Sequence, residues 1–277
     1  MNWHLETDPV RVASAAAAFI KTLSASDLHA RNAPSVEAYM RQYASSVETA
    51  PSVAQTTKLA RTITMCDALA AHTFPMLLRA PWNVAIFRGR GAENGFPHTH
   101  GALILIPDTL LSRPELAETL LHEKVHIFQR LFPRETQALF ARYLSLKRVR
   151  TRVDPAPDPA PDLARANPDL DGHLYARVDG STCYQKFDDA TPRNLASSRV
   201  YCTSSTLTTP EHEHPNETMA YAIARILVKG PDHKNPIHSA VGAWMRDLKS
   251  EQAPPPLYNR IQTTYGFFFP SKENSSI

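Results

Sequence analysis

The sequence predicts an α+β protein. Three observations support this. Helical patterning fills the first 75 residues, short strand-forming runs begin near residue 80, and two long, well-bounded helices lie further on with short strands between them. At 277 residues the chain can bury a sizeable core, as one large domain or two lobes around a cleft.

In order along the chain, Asp8 is placed to cap a helix that opens with Pro9 and runs through an alanine-rich stretch to about Leu23. A second helix follows Ser35, with Val36, Tyr39 and Tyr43 at helical spacing, and a third runs from about Ser52 through Leu59, Ile63 and Leu69. The texture changes at Ala80-Pro81. Residues 82–87 are strand formers, 88–100 are polar, and 101–106 form a short apolar run stopped by Pro107, so two strands joined by a long loop are expected.

The best-marked element follows. Ser112 and Glu115 read as a capping box with Pro114 in the first turn, which predicts a helix over about 113–131, ending before Pro133. Leu121, Val125, Phe128 and Phe132 form one apolar stripe and Leu116, Leu120, Ile127 and Leu131 an adjacent one, as in a helix buried inside a domain. A further helix is expected over 136–148, then a proline-rich surface loop over 153–168. Short strands are expected at 174–178, 182–187 and 198–203. Pro215 then opens a helix that ends at Gly230-Pro231, and a last helix near 237–248 precedes a proline-rich, aromatic tail.

Composition narrows the function. A hydrophobic fraction of 43% with 21% charged residues is that of a soluble globular protein, and a net charge of +3 is too small to argue for nucleic acid. The densest basic cluster, over 147–152, reads as a solvated helix end. The apolar run at 15–20 is too short for a signal core or a membrane span, so the expectation is a cytoplasmic chain without a membrane partner. The three cysteines, Cys66, Cys183 and Cys202, form no Cys-x-x-Cys pair, which argues against both a disulfide framework and a cysteine zinc site. Cys183 and Cys202 could pair across neighbouring strands, but free thiols and a reducing compartment are the preferred reading.

The chemistry centres on His122-Glu123-Lys124-Val125-His126. Histidines at i and i+4 lie one helical turn apart, so both imidazoles can reach one metal ion. Glu123 sits about 100° round the helix, badly placed as a third ligand but well placed to meet a water at that metal.

With this motif on a buried helix, the chain resembles the zincin superfamily of metallopeptidases. The resemblance implies a zincin-like fold with an edge strand just before the helix, where an extended substrate lies; residues 101–106 take that position. The metzincin branch needs a glycine and a third histidine soon after His126, and residues 127–133 contain neither. The gluzincin branch uses a glutamate on a later helix, often preceded by asparagine, and Asn216-Glu217 fits it. Glu217 would be the third ligand, with Met219, Ile223 and Ile226 toward the core; His212, Glu213 and His214 are the alternatives. Some gluzincins carry an aspartate four residues after this glutamate to orient a histidine. Here that position is Tyr221, so the histidine's partner must differ.

The resemblance implies a Zn2+ hydrolase acting on a peptide or protein substrate. Zinc would acidify a water and polarise the substrate carbonyl, and Glu123 would take the water proton and pass it to the leaving amine. Tyr221 is the first candidate for the second oxyanion donor, with Tyr175, Tyr184, Tyr201, His98 and His100 competing. His98 and His100 otherwise read first as a loop without a catalytic role, with a rim or substrate contact and a metal role as the alternatives, and the 167–172 segment reads as a turn. On this reading residues 1–75 are a helical bracing region and 76–277 the catalytic region. Two other functions fit the same residues: a zinc hydrolase with a non-peptide substrate, and a non-catalytic binding protein with an accidental or decayed motif.

Overall fold

The chain winds around a four-stranded sheet whose two central strands are covered on both sides by helices. The computed structural model describes residues 3–151, 163–203 and 212–251. The elements run β1 (Trp3–Leu5), α1 (Pro9–Ile20), α2 (Ala25–Ala30), α3 (Val36–Ser46), α4 (Val53–Thr73), β2 (Trp82–Phe87), β3 (His98–His100), β4 (Leu103–Pro107) and α5 (Leu116–Leu131). They continue with α6 (Pro133–Ala138), β5 (Lys147–Thr151), β6 (His173–Ala176), β7 (Cys183–Phe187), β8 (Ser198–Cys202), α7 (Pro215–Lys229) and α8 (Pro236–Glu251). The α+β class is as expected. Most of the proline-rich loop and the aromatic tail lie outside the described residues.

The sheet order is β1-β2-β4-β3, with β1, β2 and β4 parallel and β3 antiparallel at the edge. Alternation along a strand sends successive side chains to opposite faces. Val84, Ile86, Ile104 and Ile106 therefore join the larger core, with α4, α5, α7 and α8. Ala85, Phe87, Leu103 and Leu105 join a second core under α1 and α3. The first 75 residues thus contribute to both cores, since Leu59, Ile63 and Ala70 of α4 pack in the larger one. Each fully buried large apolar side chain contributes about 1.5–3 kcal/mol.

Several helix limits follow the local signals. Asp8 caps α1 by accepting from the Val10 N–H at 2.8 Å, with Pro9 in the first turn. Ser52 and Gln55 form a reciprocal capping box on α4. Pro215 opens α7, and the Gly230 N–H donates to Ile226 O at 3.0 Å to close it, at φ 82°.

Other expectations need correction. The helix predicted from 113 begins at Leu116, because Ser112 ends a 3-10 turn over Asp108–Ser112 and its hydroxyl donates to Thr109 O at 3.1 Å. The Ser112–Glu115 box therefore does not form. Leu131, placed on an apolar stripe, is 48% exposed. The helix predicted over 136–148 stops early: α6 passes into a wider turn over Leu139–Tyr143, Ser145 takes φ 53°, and the chain turns extended. The basic cluster from Lys147 therefore begins on strand β5, paired with β6, and not at a helix end. The 82–87 and 101–106 runs do make strands, but β4 is interior. The edge strand is β3, inside the expected loop, and a two-residue turn with Gly101 at φ 59° leads from it into β4. Strand β1 and helix α2 were not anticipated.

Cys183 and Cys202 are register partners on β7 and β8 and form a disulfide, which replaces the expected free thiols and removes the basis for a reducing compartment. Only Cys66 is free, and it is buried. Among the described residues, no helix is long and apolar enough to cross a membrane.

Candidate metal centre

Helices α5 and α7 run against one another and carry the three predicted ligands to one point. His122 and His126 come from consecutive turns of α5, and Glu217 from the first turn of α7. His122 Nε2 lies 3.0 Å from His126 Nε2 and 3.2 Å from Glu217 Oε2, while His126 Nε2 lies 3.7 Å from Glu217 Oε1. Met219, Ile223 and Ile226 are buried behind Glu217, as expected from their helical spacing.

The proton on His126 can be assigned. The Gln129 amide donates from Nε2 to Asn216 O at 2.9 Å, which fixes its orientation. Its Oε1 lies 2.9 Å from His126 Nδ1, so His126 carries its proton on Nδ1 and donates it there. His126 Nε2 is left with a lone pair aimed at His122 and Glu217. Burial pushes the His126 imidazole below its ordinary pKa, which keeps that neutral form at neutral pH. Burial works to raise Glu217, but its electrostatic interaction with the His126 and His122 imidazoles, with hydrogen bonds from His122 and Asn167, holds it down at about 2.

These residues fit a small divalent cation. Ligands ~2.0–2.2 Å from a tetrahedral zinc stand roughly 3.3–3.6 Å from one another, a spacing that falls within the 3.0–3.7 Å spread of the three donor separations here. Two imidazoles and one carboxylate also leave a fourth position open. Gln129 supplies the hydrogen bond that orients His126, so a histidine of this cluster does have a partner other than the aspartate whose position Tyr221 occupies.

Glu123 is 3% exposed, and its Oε2 has no hydrogen-bond partner among the described residues. Burial raises its carboxyl well above the ordinary range, and the charges of Asp169 and Glu217 add to this against the attraction of Arg130. Asp169 was read from the sequence as part of a plain turn. It lies within 4.8 Å of both Glu123 and His126, counting one potential ligand atom from each residue. No local pattern announces it, since it reaches the site from a loop some 40 residues after the helix. Gln129 was missed as well, although its i+3 spacing from His126 marks it.

Tyr221 stands one turn after Glu217 and packs its ring edge-on against His122 at 4.4 Å between centroids. It lines a cleft of about 630 Å³ together with His122, Glu123 and Glu217. The competing candidates are placed elsewhere or engaged. Tyr175 OH donates to Asp171 and accepts from Gln137, and Tyr201 stands half-exposed on β8, stacked on Tyr184. His98 borders the cleft with both ring nitrogens engaged, by Phe96 O at 2.8 Å and Tyr43 OH at 2.5 Å; His100 packs against Phe19 and Tyr43. His214 caps α7, its Nδ1 accepting from the Asn216 N–H and its Nε2 directed to His173 O, so it is not a ligand. Glu213 and His212 also lie outside the cluster, with His212 on a separate small cavity.

Comparison with known proteins returns no matching family model, no matching curated protein and no matching solved structure.

Proposed function

We propose that the chain is a zinc-dependent hydrolase of the gluzincin kind, with a zincin-like fold, acting on amide bonds of peptides. The observation that carries this reading is the convergence of His122 Nε2, His126 Nε2 and the Glu217 carboxylate at 3.0–3.7 Å, with the His126 proton turned away toward Gln129. Lone pairs packed this closely in a buried place repel one another unless a proton or a cation lies between them, and His122 Nε2 has only one proton to offer to two neighbours.

When bound there, zinc supplies Lewis acidity and acidifies a water. The rest falls to the chain's own groups. Glu123 takes a proton at its carboxylate and gives it to the departing amine. It is buried beside His122 and lines the same cleft, where it can meet a water held at the cluster. Tyr221, on the cleft wall beside His122, donates its hydroxyl hydrogen to the oxyanion. His126 is kept in one tautomer by Gln129.

The test is Glu123→Gln in the zinc-loaded protein, assayed with a pool of peptides and esters. The expected outcome is a loss of turnover of about 10²–10⁴-fold with zinc content unchanged. Unchanged turnover would remove Glu123 from the chemistry. Turnover of esters without any peptide cleavage would move the substrate to the non-peptide class.

A further inference from the structure

We infer that the cleft takes a short substrate or a chain end, held between α5 and α7, and that no substrate strand adds to β3. This rests on the hydrolase reading above and sharpens its substrate class.

Strand addition requires an exposed backbone edge. The outward N–H of β3 belongs to Thr99, and it already donates to Asp169 Oδ1 at 2.9 Å. The Thr99 hydroxyl bonds the same oxygen. All three residues of the strand are buried: His98 at 2%, Thr99 at 0% and His100 at 5% exposure. The covering segment is fastened at both ends of the site. Arg130, in the last turn of α5, donates to Thr99 Oγ1 at 2.5 Å, to Gly101 O at 3.1 Å and to Pro168 O at 2.9 Å. Asn216, in the first turn of α7, donates its side-chain amide to Asp169 O at 3.1 Å. One loop therefore seals the strand along which an extended peptide would lie, and both metal-bearing helices hold it there.

What stays open is the cleft over those helices, whose other walls come from residues 96–98, from the 165–169 loop and from Gln185 and residues 195–198. Glu118 and His122 on α5 face Glu217, Tyr221 and Ala224 on α7, each set at helical i, i+3 or i+4 spacing. Phe96 and Leu195 add apolar lining to the same cleft. One turn before His122, Glu118 binds Lys229 at 2.7 Å and Arg225 at 3.6 Å, which ties α5 to α7 across the groove. A volume of about 630 Å³ suits a ligand of small-molecule size, and the groove offers side chains where strand addition would need a free backbone edge.

Two measurements test this. In the first, the zinc-loaded protein is titrated with blocked amino-acid hydroxamates extended to two, four and eight residues. Affinity should level off at two residues and then change by less than about threefold, and a rise of about tenfold or more by eight residues would overturn the inference. The second needs no metal and no activity: amide exchange at Thr99 in the free protein. Its N–H should be protected about 100-fold or more, and Asp169→Ala should release it. A freely exchanging Thr99 in the unaltered protein would show an open edge and overturn the inference. Absent zinc and hydroxamate binding beside a protected Thr99 would sink the hydrolase reading while leaving the edge sealed.

Discussion

Two buried polar clusters flank the sheet, and they are built oppositely. Around Arg31, donors and acceptors match. The guanidinium donates to Glu93 Oε1 at 2.8 Å, Glu93 Oε2 at 2.6 Å, Asp27 O at 3.1 Å, Asp27 Oδ1 at 3.2 Å and Ala166 O at 3.1 Å, which uses all five N–H groups. Tyr39 OH adds a further donor to Glu93 at 2.8 Å. Around His122 lone pairs are in excess: His126 Nε2 and the Glu217 carboxylate face the single proton that a neutral His122 can carry on Nε2, and the His126 proton points outward to Gln129. A matched cluster is complete in itself and serves the fold. A cluster with lone pairs in excess has room for a cation, which is the reading proposed for it above.

The comparison breaks most visibly if Arg31 is not structural. Arg31→Met leaves Glu93 and Asp27 buried without their counter-charge and should destabilise the protein by about 3–5 kcal/mol in chemical denaturation, with zinc content of the folded fraction unchanged. A loss of zinc at full stability would exchange the roles of the two clusters.

The next effect is on pH. Burial raises the Glu93 carboxyl, but the charge and hydrogen bonds of Arg31 overcome this and hold it at about 2, against an ordinary value of 4.5. Because the folded value lies below the unfolded one, the stabilisation is complete above pH 4.5 and is lost as pH falls toward 2. The full difference is worth about 3 kcal/mol, of which about 2 kcal/mol is lost by pH 3, so urea titrations at pH 6 and pH 3 should show a fall of about 2 kcal/mol in the wild type and a much smaller one in the Arg31→Met/Glu93→Gln double variant. Equal falls in both would place the acid sensitivity elsewhere.

A smaller effect probes the orientation of His126. Gln129→Leu removes the acceptor of its Nδ1 proton and should weaken zinc about 10–100-fold in a chelator competition, leaving the Arg31 cluster untouched. Unchanged affinity would mean that His126 is oriented by packing alone.

The least effect concerns the wall over the cleft, where Gln185 of β7 and Ser198 of β8 sit beside the disulfide-bonded pair of strands. Burial, with the charge of Asp67, pushes the Cys66 thiol up to about 12. A thiol reagent should therefore find none of the 3 cysteines in the native protein, Cys66 alone in denaturant, and all 3 once a reductant is added. All 3 reacting in denaturant without reductant would contradict the Cys183–Cys202 bond.

What the sequence discloses depends on range. His122, Glu123 and His126 are legible because one helix turn fixes their relation, and Glu217 because Pro215 marks where its helix begins. Helix α7 ends where Gly230 said it would. The Ser112 capping pattern misled because a 3-10 turn used the serine first, and the basic run at 147–150 misled because Ser145 broke the helix before it. Asp169, Arg130 and the Arg31–Glu93 pair were invisible for another reason. Their partners are 31 to 70 residues away, and no periodicity records such contacts.

The most direct measurement is elemental analysis of the wild type after exposure to zinc and dialysis, beside Glu217→Ala and Arg31→Met. The account predicts about one zinc per chain in the wild type and in folded Arg31→Met, and less than about a tenth of that in Glu217→Ala. A wild type without zinc, or a Glu217→Ala protein that keeps it in full, would contradict the account.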